Sequence, residues 1–182
     1  NQIDLRGEPE CDVPQIPASQ LAAIAFTSGS TGQPKANLKP WHTFVTSSRM
    51  NAKEMLGSDY RDTLRFALAT VPAQHMWGLE TSLLLPLFAR LCISDQRPLF
   101  PLDVANALQQ LPAPRLLIST PVHLRALVSS GVTMPEAAQL LCATAPLSTE
   151  LAQATEGCFG GDLIEVYGCS EVGSMARRRT AA

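Results

Sequence analysis

Residues 21–35 read LAAIAFTSGSTGQPK, an apolar run followed at once by a loop rich in glycine and hydroxyl side chains. The apolar residues 21–26 predict a buried strand that leads into a flexible loop. Backbone N–H groups in such a loop, hydroxyl donors and the charge of Lys35 together suit the oxygens of a phosphate. The loop is not a Walker A motif, because Pro34 rather than glycine precedes the lysine and Ala36 rather than serine or threonine follows it. We therefore predict an anion site at the end of the first strand.

Outward from this loop, strand-like and helix-like segments alternate along the chain. Short apolar runs predict further strands, at residues 66–71, 91–94, 116–119, 140–143 and 163–166. The segments between them, several of which end at a glycine, predict helices, at residues 41–56, 77–89, 103–111, 122–130 and 149–158. This alternation predicts an α/β fold with a mainly parallel sheet and flanking helices. Its ligand site is expected in the loops beyond the carboxyl ends of the strands.

Composition excludes several classes of protein. The chain has 182 residues, 46% of them hydrophobic and 16% charged, which is typical of one globular domain. A net charge of −2 is too balanced for nonspecific nucleic-acid binding, and no apolar run approaches the roughly 20 residues that span a bilayer. The five cysteines form no CxxC pair, which argues against a disulfide framework or a structural zinc site. This cysteine pattern suits a reducing cytosol, so we expect a cytoplasmic protein. Residues 1–20 predict a linker or surface segment without the features of a signal peptide.

A second polar cluster, Tyr167-Gly168-Cys169-Ser170-Glu171, also follows an apolar run. It is similar to a nucleophile elbow, but the second glycine of that motif comes one residue late, at Gly173. The carboxylate of Glu171 could instead hold Mg²⁺, which prefers one or two carboxylates with phosphates and water.

The three histidines and the arginine run receive no role from the sequence alone. His75 lies between a predicted strand and a predicted helix, a position that only suggests a functional role. The sequence gives still less evidence for a role of His42 or His123. Residues 177–179 are all arginine and are interpreted as a solvated basic patch.

Taken together, these segments resemble the adenylate-forming (AMP-binding) superfamily, which includes acyl-CoA synthetases, aryl and fatty acyl ligases and nonribosomal adenylation domains. Residues 27–35 resemble its phosphate loop, and residues 72–78 its Pro-x-x-His-x-x-Gly segment. Residues 167–171 are similar to Tyr-Gly-x-Thr-Glu, with Ser170 in place of threonine, and residues 143–147 to the Gly-Ala-Pro-Leu adenine loop. An ordered set of four such motifs is far more specific than any one of them.

The resemblance implies that a carboxylate attacks the α-phosphorus of ATP to give an acyl-adenylate and pyrophosphate, followed by thioester formation on coenzyme A or the phosphopantetheine of a carrier protein. It implies catalytic roles for His75, Glu171 and Lys35, with Mg²⁺ on Glu171. The implied phosphate-binding residues are Thr27, Ser28, Gly29, Ser30, Thr31, Gly32 and Lys35. The implied adenine-binding residues are Thr144, Ala145, Pro146, Tyr167, Gly168 and Ser170. The substrate would be a small carboxylic acid, whose identity the motifs leave open.

Members of the superfamily are longer than this chain. Residues 21–182 would be part of the large domain, without the segment that holds the ribose or the mobile C-terminal domain. We therefore expect the chain alone to bind ATP weakly and to be inactive as a ligase. Two alternatives stay open: a nucleotide-binding or interaction module without chemistry, and an α/β hydrolase that uses Ser170.

Overall fold

The computed structural model describes residues 14–28 and 34–182. A six-stranded sheet has the order β4-β3-β5-β6-β7-β8, and β1 and β2 form a separate antiparallel pair. The strands are β1 (Leu21–Ser28), β2 (Pro34–Pro40), β3 (Arg65–Ala69), β4 (Leu91–Ile93), β5 (Arg115–Ser119), β6 (Gln139–Cys142), β7 (Asp162–Cys169) and β8 (Gly173–Arg178). The helices are α1 (Trp41–Leu56), α2 (Met76–Gly78), α3 (Pro101–Gln110), α4 (Pro121–Ser129) and α5 (Thr149–Phe159). The predicted residues Gly29, Ser30, Thr31 and Gly32 lie outside the described residues.

The large sheet is parallel from β4 to β7, and only β8 runs antiparallel. Alternating side chains of β5 enter two different cores: Leu116 and Ile118 pack on one face of the sheet, and Leu117 packs on the other. A strand that is buried on both faces is apolar throughout, which explains the uninterrupted apolar runs of the sequence. The predicted α/β fold with a mainly parallel sheet is confirmed.

Helix boundaries follow the local signals closely. The helix α1 has the predicted bounds and ends at Gly57, whose φ of 90° is accessible to glycine at little cost. Thr120 and Ser148 cap α4 and α5 by accepting hydrogen bonds from backbone N–H groups. No helix in the described part of the chain combines the length and apolarity that crossing a membrane requires.

The first predicted strand is present, but its predicted burial is wrong. Within the described ranges β1 pairs only with β2, a strand that the sequence analysis missed. Because the hairpin stands apart from the large sheet, no layer of helices covers both of its faces. Ile24 is 45% exposed and Phe26 67% exposed.

The predicted helix at residues 77–89 is not a regular α-helix. After α2 the chain forms a π-helical turn at Leu79–Leu84 and a 3₁₀ turn at Leu85–Leu87. Pro86 accounts for the change, because it has no N–H to donate and its ring crowds the carbonyl of Ser82. We call this part of the chain the helical segment 76–87.

The arginine run is exposed but is not an unpaired basic patch. Arg177 lies 3.1 Å from Glu54, and Arg178 lies 2.7 Å from Glu165. Arg179 contacts both Glu156 and Asp162. These pairs tie strand β8 and the residue after it to α1, β7 and α5. Burial acts to raise the pKa of Glu165, but its hydrogen bonds outweigh this and leave the pKa below its usual value.

Candidate active site

A cleft of about 630 Å³ lies at the carboxyl ends of β3, β5, β6 and β7. Parallel strands bring the residues that follow them to one edge of the sheet, so distant parts of the sequence meet there. Among the residues that line the cleft are Thr70 after β3, Thr120 after β5 and Thr144 after β6. The cleft is therefore at the edge where the sequence predicted a ligand site.

His75 lines this cleft from the loop between β3 and α2. Its backbone N–H donates to the carbonyl of Pro72 at 3.2 Å, and its own carbonyl accepts from the N–H of Leu79 at 2.7 Å. Gly78 closes the loop: a Cβ on this residue would lie 2.1 Å from the Pro72 carbonyl oxygen. The glycine thus allows the helix to pass close enough to the loop to fix His75 at the cleft.

Glu171 is held in a turn between β7 and β8. Its own backbone N–H, the Cys169 thiol and the Thr27 hydroxyl hydrogen-bond to its carboxylate and lower its pKa, so the group is charged at neutral pH. Lys39 is only 4% exposed, and its Nζ donates to the backbone carbonyl of Glu171 at 2.5 Å. The Lys39 contact joins β2, the strand that follows the predicted phosphate loop, to the turn that carries the predicted metal ligand.

Glu80 is a buried carboxylate that the sequence analysis missed. It is 6% exposed and lines the cleft from the helical segment 76–87. Its oxygens accept hydrogen bonds from the backbone N–H of Ser174 at 3.3 Å and from the Ser174 hydroxyl at 2.8 Å. Burial raises its pKa, while Ser174 and the charge of Lys39 act in the opposite direction. Glu80 and Lys39 thus hold the two sides of the turn that presents Glu171.

Replacing Ser174 by alanine is expected to destabilise the fold by about 1–3 kcal/mol, because it removes a hydrogen bond from a buried carboxylate. The measurement is the free energy of unfolding in urea. Ser129→Ala is the matched control, since the hydroxyl of this exposed serine only returns to its own helix at Arg125. Equal stability of the two variants would show that the Glu80 contact contributes nothing.

The predicted adenine-binding residues are divided between two neighbouring pockets. Thr144, Gly168 and Ser170 line the main cleft with His75. Pro146 and Tyr167 line a second pocket of about 380 Å³, where Tyr167 is 69% exposed. Thr144 has a φ of 90°, which is rare for a non-glycine residue and concentrates at functional sites. Ala145 is the residue between Thr144 of the main cleft and Pro146 of the second pocket in the sequence.

A second missed group consists of Thr70, Ser119 and His123. The hydroxyl of Thr70 lies 2.9 Å from Oγ of Ser119 and 2.9 Å from Nδ1 of His123. Trp77 donates from Nε1 to the carbonyl of Ser119 at 3.1 Å. Thr70 and Ser119 come at or just after the end of an apolar strand, a signal that could have identified them in the sequence, whereas His123 lies in the first turn of α4.

The carboxylates near the cleft bear on the kind of metal that could bind. The described ranges contain no group of three or more His, Cys, Asp or Glu side chains arranged to hold an ion. Mg²⁺ does not need one, because it takes one or two carboxylates and completes its shell with water and substrate phosphates. The charged carboxylate of Glu171, in the turn that Lys39 of β2 contacts, fits that ion.

Comparison with known proteins agrees with this geometry. The family model for "AMP-binding enzyme" matches residues 2–181. The chain belongs to the AMP-binding enzyme family. This confirms the resemblance drawn from the four motifs. It leaves the α/β hydrolase alternative without support, and Gly173, which comes one position later than that motif requires, is the first residue of β8.

Two curated AMP-binding relatives and one solved structure illustrate the match. The chain is 31% identical over 162 residues to a 4-coumarate–CoA ligase of Rhodobacter capsulatus, covering 88% of this chain and 41% of the ligase. It is 28% identical over 172 residues to nonribosomal peptide synthetase 8 of Aspergillus fumigatus, covering 93% of this chain and 2% of the synthetase. The ATP-bound structure of MatB from Rhodopseudomonas palustris shares the fold, with a TM-score of 0.73 and 20% identity over 92% of this chain and 33% of MatB. The chain thus spans less than half the length of each of these proteins.

Proposed function

We propose that the chain contributes to ATP-dependent activation of a carboxylic acid. In this reaction a carboxylate oxygen bonds to the α-phosphorus of ATP, and the bond from that phosphorus to the bridging oxygen breaks. The products are an acyl-adenylate and pyrophosphate. The observation that carries the proposal is the hydrogen bond from Lys39 to the backbone carbonyl of Glu171, because it ties the strand that follows the phosphate loop to the turn that presents a charged metal ligand. Family membership supports the same reaction.

The chemistry needs positioning and charge more than it needs a protein nucleophile. Thr27, Ser28, Gly29, Ser30, Thr31, Gly32 and Lys35 would bind the phosphates. Lys35 stands opposite Thr27 in the register of β1 and β2, so the two ends of the phosphate loop lie side by side. His75, on the fixed loop at the cleft, would donate a hydrogen bond that orients the reacting carboxylate.

Glu171 would hold Mg²⁺, which when bound neutralises phosphate charge as the pyrophosphate departs. The backbone of the turn is fixed by Lys39 from one side and by Glu80, through Ser174, from the other. A carboxylate held in this way pays little reorganisation cost when the ion and ATP bind. Lys39, Glu80 and Ser174 would thus act by positioning Glu171.

Adenine would bind near the exposed face of Tyr167, with Thr144, Ala145 and Pro146 as the opposite wall and with Gly168 and Ser170 beside them. Pro146 and Tyr167 already line one pocket, which supports this arrangement. An aromatic face beside a base gains from stacking.

The acyl-adenylate would pass to a thiol, either that of coenzyme A or that of the phosphopantetheine arm of a carrier protein. Both acceptors have support in the relatives, one of which is a CoA ligase by name and the other a peptide synthetase. In either case the product is a thioester and AMP is released.

The test is carboxylate-dependent exchange of labelled pyrophosphate into ATP by the full-length protein, over a panel of aryl and fatty acids. We expect exchange with at least one acid and only in the presence of Mg²⁺. Nucleotide binding without exchange for any acid would favour the binding-module alternative. Labelling of Ser170 by a fluorophosphonate would favour the hydrolase.

Lys35→Ala is expected to raise the KM for ATP about tenfold with a smaller effect on kcat, because it removes one charge-assisted contact to the phosphates. Steady-state exchange kinetics at varied ATP measure both constants. Lys53→Ala is the control, since Lys53 lies in the last turn of α1, away from the residues that line the cleft. An unchanged KM in the Lys35 variant would remove this residue from the phosphate site.

A further inference from the structure

In the group formed by Thr70, Ser119 and His123, only one arrangement of the hydrogen atoms gives each hydroxyl a good hydrogen-bond acceptor. Ser119 is completely buried, and within the described residues its Oγ has only the Thr70 hydroxyl as a partner. A buried hydroxyl hydrogen without an acceptor is costly. Ser119 must therefore donate to Thr70, and the Thr70 hydrogen must go elsewhere.

Two acceptors are within reach of the Thr70 hydroxyl. The carbonyl of Ile118 is 3.5 Å away and already accepts the backbone N–H of Thr70 at 3.0 Å. Nδ1 of His123 is 2.9 Å away. Since hydrogen bonds weaken with distance, Thr70 donates to Nδ1. A neutral imidazole whose Nδ1 accepts carries its hydrogen on Nε2.

His123 and Thr70 both line the main cleft, and the atoms that fix them are buried beneath. Met76, Trp77 and Leu99 are among the apolar residues that line the same cleft. Within the described ranges, Nε2 of His123 has no protein partner, so its hydrogen is available to a molecule in the cleft. His123 is thus a hydrogen-bond donor of fixed tautomer in a cleft that is partly apolar.

We infer that His123 is a specificity-determining residue, which donates from Nε2 to an oxygen on the acyl group of the substrate. The substrate class is then a carboxylic acid whose acyl part carries a hydroxyl, ether or carbonyl oxygen, rather than an unsubstituted hydrocarbon. This inference rests on the proposed function, because it assigns the acyl group to the main cleft. An unsubstituted acid would leave the donor buried and unpaired, and is therefore bound less well.

The test compares acids in pairs that differ by one oxygen: cinnamate with its 2-, 3- and 4-hydroxy derivatives, and octanoate with its 2-, 3- and 8-hydroxy derivatives. For each pair, kcat/KM in pyrophosphate exchange and the Kd from calorimetry are measured on the full-length protein. We expect at least one hydroxylated acid to be preferred about tenfold, the effect of one neutral hydrogen bond. His123→Phe should reduce that preference to about one, mainly through KM for the hydroxylated acid. His123→Gln, which keeps a donor, should restore part of it.

Two further variants separate specificity from folding. Thr70→Val removes the hydroxyl that donates to Nδ1, so it should reduce the preference although Nε2 is still present. His42→Gln is the matched control, because its ring bonds to the carbonyl of Ala18 on the exposed surface, and it should leave the preference unchanged.

The outcomes distinguish this inference from the proposed function. Exchange with equal kcat/KM for every pair, or a preference that survives in His123→Phe, overturns the role of His123 and leaves the proposed function standing. If calorimetry gives a lower Kd for a hydroxylated acid than for its unsubstituted partner but no acid supports exchange, the proposed function is overturned and the role of His123 is supported. If no acid supports exchange and the paired acids bind with equal Kd, then both the role of His123 and the proposed function are overturned.

Discussion

Replacing Glu171 by glutamine is expected to lower pyrophosphate exchange about 100-fold or more with little loss of stability. The amide keeps the size of the side chain but removes the charge that would hold Mg²⁺ against the phosphates. Preorganised charge at a reacting centre is worth roughly two to three orders of magnitude in rate. Folding should be little affected, because the side chain is exposed at the surface of the turn. The rate is measured as exchange over a range of Mg²⁺ concentrations, and the stability by urea unfolding.

Glu54→Gln serves as the control for this variant. Glu54 is an exposed carboxylate, 53% accessible, that pairs with Arg177, and exposed pairs contribute little. The Glu54→Gln variant should catalyse pyrophosphate exchange at the rate of the unsubstituted protein. Binding of Mn²⁺ with ATP, followed by electron paramagnetic resonance, gives a readout that is independent of turnover. Undiminished Mn²⁺ binding and exchange in the Glu171 variant would show that this carboxylate is not the metal ligand.

Gly78→Ala is expected to cost about 3 kcal/mol of stability and to lower exchange about 100-fold. The added Cβ would lie 2.1 Å from the Pro72 carbonyl oxygen and 2.7 Å from the Pro72 carbonyl carbon. Both are backbone atoms, so neither can rotate away, and overpacking of this kind forces the chain to shift. The loop that shifts is the one that carries His75, and a displacement of about 1 Å at a reacting centre can cost two orders of magnitude.

The matched control is the same substitution at Gly157, in the interior of α5. A Cβ there meets no atom of the described structure within 4 Å. Alanine is the better helix former, so Gly157→Ala should raise stability by about 0.5–1 kcal/mol and leave exchange unchanged. If Gly78→Ala behaves like Gly157→Ala in both measurements, then the close approach of the helix to Pro72 does not position His75.

Most of the large sheet could be predicted because its strands are buried on both faces and so carry continuous apolar runs. The five predicted strands that follow the first one all appear in the large sheet, near their expected positions. The helix α1 has its predicted bounds because Gly57 ends it locally. Strands β2 and β8 were missed, since β2 begins and ends with proline and β8 contains consecutive arginines, and neither pattern is typical of a strand.

The predicted site residues differ in how far the structure brings them together. His75, Thr144, Gly168 and Ser170 line one cleft, and the backbone carbonyl of Glu171 accepts a hydrogen bond from Lys39. Tyr167 and Pro146 meet in the adjacent pocket. Their roles in binding and catalysis stay predictions that the variants above test. Glu80 and Lys39 were not found, and His123 received no role, because none of them lies in a recognised motif.

The sequence by itself determined the alternation of the five parallel strands with most of their helices, the edge of the sheet at which the cleft lies, and the family to which the chain belongs. These follow from local patterns: apolar runs, glycines at helix ends and motifs whose residues are close together in the chain. Only the tertiary structure decided that the first hairpin stands outside the large sheet, that Lys39 and Glu80 hold the Glu171 turn, and that Ser119 and Thr70 fix the tautomer of His123. Each of these depends on contacts between residues that are far apart in sequence or on burial in three dimensions. Buried polar groups must find partners wherever the fold places them, and a sequence pattern does not show which partners those are.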